Sequence, residues 1–186
     1  MKYSEVFRNS VFALSIPVEN LEKNAGSAIL FMRYDYEQAI EEFNKKLDGA
    51  CKVIKKEGFD ERLRKLAKMK DVENRLAAAE KWNGEGEEPK KVTDEEKTEM
   101  ETWKNELGDF ETEEYAKYIE QRENAHNELM DSECPITISK LTREQYTEVV
   151  GAIGIKGNMD NLFNSATKEP LSKEGFLMYV LRYLVA

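Results

Sequence analysis

The sequence predicts a mainly α-helical protein. It has a long antiparallel helical hairpin, an acidic helical pair, and a small C-terminal helical lobe with at most one short strand or hairpin. Three observations point there. Apolar residues recur in steps of three and four at Leu21, Ala25, Ile29, Met32, Tyr36, Ala39, Phe43, Leu47, Ala50 and Ile54, which is one face of a helix. Only four Pro and ten Gly interrupt the 186 residues. Two capping boxes stand out, Thr93 with Glu96 and Thr142 with Gln145, each able to satisfy two free N–H groups at a helix start. The pattern divides into an elongated helical domain over 1–133, with its acidic segment at 84–133, and a compact lobe over 134–186.

The first helix is expected from Ser4, with Tyr3, Phe7, Val11 and Leu14 as its inner face. Ser15-Ile16-Pro17 breaks it, since the residue before a proline is pushed to extended backbone. From Val18 to Glu57 the long stripe predicts one helix of about 40 residues. Glu41–Lys45 and Glu42–Lys46 support its outer face as i,i+4 pairs. Gly58 is expected as its left-handed cap, with Phe59 folded over Ile54. Asp60 then caps a helix running to about Trp82, and the short connection predicts that it pairs with the long helix. Residues 83–89 read as a solvated turn.

Thr93 opens a helix whose main buried candidates are Met100, Trp103 and Leu107, and Gly108 ends it. Asp109 or Thr112 opens the next, which runs to about Asp131 with Tyr115, Tyr118, Ile119, Arg122, His126 and Leu129 inward. Ile136-Thr137-Ile138-Ser139 alternates like a strand. Thr142 starts a helix over 143–153, stapled by Leu141 against Tyr146. Gly151, Gly154 and Gly157 terminate it, and a short helix follows around Asp160–Ala166. Ser172 caps the last helix, 173–184, apolar nearly all round and therefore expected to be the most buried.

The net charge of −9 is not spread evenly. Residues 84–133 hold 18 Asp and Glu against 6 Lys and Arg, while the flanking segments are close to neutral. An acidic protein lacks the basic face that direct nucleic-acid binding needs. No apolar run reaches the roughly 18 residues of a membrane span, and Glu5, Arg8 and Asn9 interrupt the N-terminal apolar residues, against a secretory signal. Cys51 and Cys134, neither in a CxxC pair, read as reduced thiols of a cytoplasmic protein.

Catalytic constellations are thin. Glu123-x-x-His126 matches half of a carboxylate-bridged di-iron site. His126 is the single histidine, so one chain cannot complete the pair, and a histidine beside the core is the better reading. The same scarcity removes most Ser-His and Cys-His schemes. Gly151–Gly157 follows a helix rather than a strand and fits no phosphate loop. Residues 161–176 resemble the second half of an EF-hand. Its ligand positions would hold Asn164, Ala166 and Lys168, with Gly175 where the bidentate Glu belongs, so calcium is excluded. No metal, cofactor or catalytic residue is expected, and a hydrolase using buried carboxylates is the weakest reading.

The acidic helices offer a surface instead. Glu95, Glu99, Trp103, Glu106, Glu113 and Glu120 are the candidate partner-binding residues. Either they form a solvated face, or a rigid array of carboxylates imitates nucleic-acid charge spacing and fills a partner's basic groove.

Several segments carry a resemblance. Ser15-Ile16-Pro17-Val18 precedes a long charged helix; Tyr115-Ala116-Lys117-Tyr118-Ile119-Glu120 and Asn127-Glu128-Leu129 follow; and Ile136-Thr137-Ile138-Ser139-Lys140-Leu141 closes the order. Over about 140 residues this resembles a family of small uncharacterised tailed-bacteriophage proteins, and the chain departs from it after Leu141. The resemblance implies a phage-encoded protein without an enzymatic role, in the host cytoplasm or the virion. Two functions are expected on these grounds. One is a non-catalytic protein–protein interaction component of a virion or its assembly, with homo-oligomers among its states. The other is an acidic, nucleic-acid-mimicking inhibitor of a host nuclease or anti-phage defence complex.

Overall fold

The computed structural model of the protein describes residues 1–84, 88–152 and 171–186. The expected turn at Gly154 and Gly157, the short helix around Asp160–Ala166 and the EF-hand-like loop positions Asn164, Ala166 and Lys168 lie outside the described residues. Among those described, the fold is mainly α, with α1 (Tyr3–Ser15), α2 (Lys23–Lys52), α3 (Phe59–Lys81), α4 (Asp94–Leu107), α5 (Ala116–Asp131), α6 (Arg143–Ala152) and α7 (Lys173–Leu184). A 3₁₀ turn spans Val18–Asn20 and a π-helical turn spans Phe110–Tyr115. The chain forms two compact units, Met1–Leu47 with His126–Ala186, and Asp48–Ala125.

In the first unit α1 ends where Ile16 and Pro17 turn extended, at ψ 121° and 108°, as the proline requires. The chain needs the 3₁₀ turn before it can restart, so α2 begins at Lys23 and holds 30 residues rather than about 40. Its stripe is as expected from Ala25 to Leu47, with Ala25, Ile29, Met32, Tyr36, Ala39, Phe43 and Leu47 buried, but Leu21 and Ile54 fall outside the helix, and Ala50 is exposed while Cys51 is buried. Burial pushes the Tyr36 hydroxyl up to about 12.

Two features of α1 depart from expectation. It begins at Tyr3 rather than behind a Ser4 cap, with the Lys2 N–H donating to Glu5 Oε2 at 3.0 Å. Its buried residues are Tyr3, Val6, Asn9, Ser10, Phe12 and Ala13, while Val11 and Leu14 are exposed. The rotation follows from packing on two sides. Tyr3 and Phe7 meet Phe43 of α2 edge-on at 5.2 and 4.9 Å, and Phe12 stacks on Tyr179 of α7 at 4.9 Å.

Residues 136–139 form no strand. Isolated bridges flank them, Lys2 with Glu133 and Leu141 with Val185, and the Ser139 N–H donates to Asp35 of α2 at 2.8 Å. A single extended segment with no partner ladder is tied down by side chains instead. The Thr142–Gln145 capping box starts α6, with contacts of 2.9 and 3.2 Å. Ser172 caps α7, accepting from the Gly175 N–H at 3.1 Å. Contrary to expectation α7 buries one face only, through Phe176, Val180 and Leu184, and leaves Met178 and Leu181 exposed.

In the second unit, Lys52 ends the helical run of α2, and residues 53–58 turn before α3. Gly58 has the expected left-handed backbone, φ 73°, but stands as the N-cap of α3 instead of closing α2. Phe59 is buried against Phe110 and Tyr118, at 5.3 and 5.0 Å. Within this unit α3 packs on α4 and on the π-helical turn, whereas the short Gly58 connection predicts pairing with the long helix. The register of α3 on α4 is antiparallel and constant. Arg75 meets Glu96, Lys68 meets Trp103 and Lys65 meets Glu106, so each step along α3 is matched by an equal step back along α4.

Candidate interaction surface

The Thr93–Glu96 capping box forms as expected. The Glu96 N–H donates to Thr93 Oγ1 at 3.1 Å, and the Thr93 N–H donates to Glu96 Oε2 at 2.8 Å. Glu96 therefore holds the helix start with one oxygen and Arg75 with the other, at 2.6 Å. Its seam with α3 is thin: Leu66, Met69, Val72 and Leu107 are buried, and charge pairs line the rest. Lys65 reaches Glu106 at 2.8 Å, and Lys70 reaches Glu111 at 3.1 Å. Gly108, at φ 47°, ends α4 and admits the π-helical turn. There Arg62 grips Glu114 through both oxygens, at 3.0 and 2.9 Å, while its guanidinium lies 4.7 Å from the centre of the Phe110 ring. This bidentate contact is the strong form of such a pair, and Arg62 holds the Glu114 carboxyl below its ordinary range.

These pairs sort the six sequence-predicted residues. Glu106 is taken by Lys65. Trp103 is half-buried, with Lys68 Nζ 5.8 Å from its ring centre. Glu95 and Glu99 are exposed, four residues apart on one side of α4. Glu113 is exposed in the π-helical turn and Glu120 on α5. None of these last four has an ion-pair partner among the described residues. Of these six, the structure thus gives Glu106 to α3 and leaves Glu95, Glu99, Glu113 and Glu120 to water.

A second surface was not expected from sequence. On α2 of the first unit Leu30 is 56%, Phe31 67% and Tyr34 57% exposed. The offset of 30, 31 and 34 from the core stripe at 29, 32 and 36 was the available signal. Leu14 of α1 is 60% exposed. The side chain of Arg33 ties α1 to α2, donating to the carbonyls of Ala13, Leu14 and Ile16 at 3.0, 3.1 and 2.6 Å. It satisfies the C-terminal acceptors of α1 that the proline break leaves open. Burial lowers its pKa.

Comparison with protein-family models, curated proteins and solved structures gives no match. Among the described residues, no three His, Cys, Asp or Glu side chains are grouped to hold a metal ion. His126 is exposed, its ring edge-on to Phe43 at 5.5 Å. Cys51 and Cys134 are buried free thiols. The cavity of about 580 Å³ in the second unit is bordered by Lys52, Lys55 and Lys56, and equally by Asp48, Asp60 and Glu61. Lys55 is already committed to Asp60 at 2.9 Å. Such a balanced lining selects neither anion nor cation. Among the described residues no helix is long and apolar enough to cross a membrane.

Proposed function

We propose that the protein is a non-catalytic protein–protein interaction component, phage-encoded and used in a virion or its assembly. The observation that carries this is the outer face of α2. Leu30, Phe31 and Tyr34 stand more than half exposed on a helix whose opposite face is fully committed to the core. Large apolar side chains grouped on one exposed face mark interaction sites, and a 30-residue helix anchored along its length holds them rigidly. The segments from Ser15 to Leu141 that resemble tailed-phage proteins support a phage origin, with the host cytoplasm or the virion as its place. The test is association. The chain co-purifies with virions or with a particle protein, and Phe31→Glu abolishes this without changing helicity. A chain absent from particles and without any protein partner would sink the reading.

A second reading keeps its own observation. Glu95, Glu99, Glu113 and Glu120 are exposed in one compact unit and have no ion-pair partner among the described residues. They are free to meet a basic groove, as in an inhibitor that mimics nucleic acid and blocks a nuclease or defence complex. Glu106 is a weaker member of that set because Lys65 already neutralises it.

A further inference from the structure

The outer face of α2 carries a pattern beyond its apolar centre. Lys23, Leu30, Tyr34, Glu37 and Glu41 are exposed and Ser27 is half-exposed. Together they fall in alternating steps of four and three, the spacing of a coiled-coil seam. Read against itself in the antiparallel direction, the seam is self-complementary. Leu30 opposes Tyr34, Ser27 opposes Glu37 and Lys23 opposes Glu41, each pair occurring twice about a twofold axis. The centre is apolar and the two ends carry opposite charges, which is the arrangement of an interface with an apolar core and a polar rim. Phe31 lies beside the centre and is 67% exposed. The competing claim on this rim is weak: among the described residues Glu41 has only Lys45 as an ion-pair partner, 3.9 Å away.

We infer that α2 pairs with α2 of a second copy of this chain, antiparallel, with Lys23 of each copy against Glu41 of the other. The direction is set by charge. A parallel pair would place Lys23 against Lys23 and Glu41 against Glu41, which is repulsive at both ends. A twofold pair of this kind uses the same patch on both partners and closes on itself, so the product is a dimer and not a filament. The inference rests on the reading that this face meets a protein, and it names which one.

Sedimentation equilibrium of the full chain tests it. The expected species is a dimer. Lys23→Glu raises its dissociation constant roughly ten-fold, since two related ion pairs turn repulsive together. Glu41→Lys does the same, and the double variant K23E/E41K recovers the wild-type constant. Lys23 and Glu41 are both on the solvent side of the helix, and far-ultraviolet circular dichroism checks that the variants fold. A monomeric wild-type chain, or a dimer indifferent to both single substitutions, overturns the proposal. So does a double variant weaker than either single one. A monomer that still captures a particle protein through Phe31 removes self-pairing alone and leaves the interaction reading standing.

Discussion

Arg33 and Glu96 show how single side chains hold this protein where apolar packing is thin. Arg33 replaces the missing helical partners of three carbonyls, and its planar fork suits that task better than an ammonium would. Nothing in the linear sequence marks it, because its acceptors lie 17 to 20 residues away. Glu96 was half legible: the capping box shows in the sequence, but its bond to Arg75 does not. The Arg75 guanidinium, with help from the Thr93 N–H, holds Glu96 at about 2 against an ordinary 4.5. A carboxyl held low in the folded state gives stability that is present above pH 4.5 and is lost as the pH falls toward about 2. Glu96→Gln keeps an acceptor for the cap and removes the titration. The acid unfolding of the variant, followed by circular dichroism, should be shallower across that window than that of the wild type. Identical curves would show that Glu96 does not contribute to acid unfolding.

At the scale of elements, caps and breaks were the most legible features. The starts of α4, α6 and α7 fall where Thr93, Thr142 and Ser172 place them. The cause is local: a hydroxyl and a backbone N–H three residues on need no distant partner. Which face a helix buries was less legible when it had two neighbours, as the turned face of α1 shows. Two glycines make the contrast between local and imposed conformation testable. Gly49 sits within α2, and a Cβ there would meet nothing within 4 Å. Gly49→Ala should stabilise by about 0.5–1 kcal/mol through helix propensity alone. Gly108 is equally open, but its φ of 47° belongs to the entry into the π-helical turn. Gly108→Ala should cost about 1–3 kcal/mol, all of it backbone strain. Denaturant midpoints of the two variants should move in opposite directions; a shift of the same sign in both would refute this account.

For the molecule as a whole, the net charge of −9 overstates how much acid is available to a partner. Glu96, Glu106, Glu111 and Glu114 are bound to Arg75, Lys65, Lys70 and Arg62 of α3. If the unspent carboxylates meet a basic groove, reversing Glu95, Glu99, Glu113 and Glu120 to Lys should abolish binding. Wild-type affinity should also fall steeply between 50 and 200 mM salt, on the order expected for several released counterions. Binding that is insensitive to salt and survives reversal would exclude the mimic. The sequence by itself determined the helical class, the core stripe of α2, three helix starts and the concentration of acid in one segment. All of these depend on residues within a turn or two of each other. Only the tertiary structure decided that α3 binds Glu96, Glu106, Glu111 and Glu114 of that segment, that residues 136–139 form no strand, and that Leu30, Phe31 and Tyr34 face water. Those outcomes turn on which distant surface each element meets, and helical periodicity fixes a face without naming its neighbour.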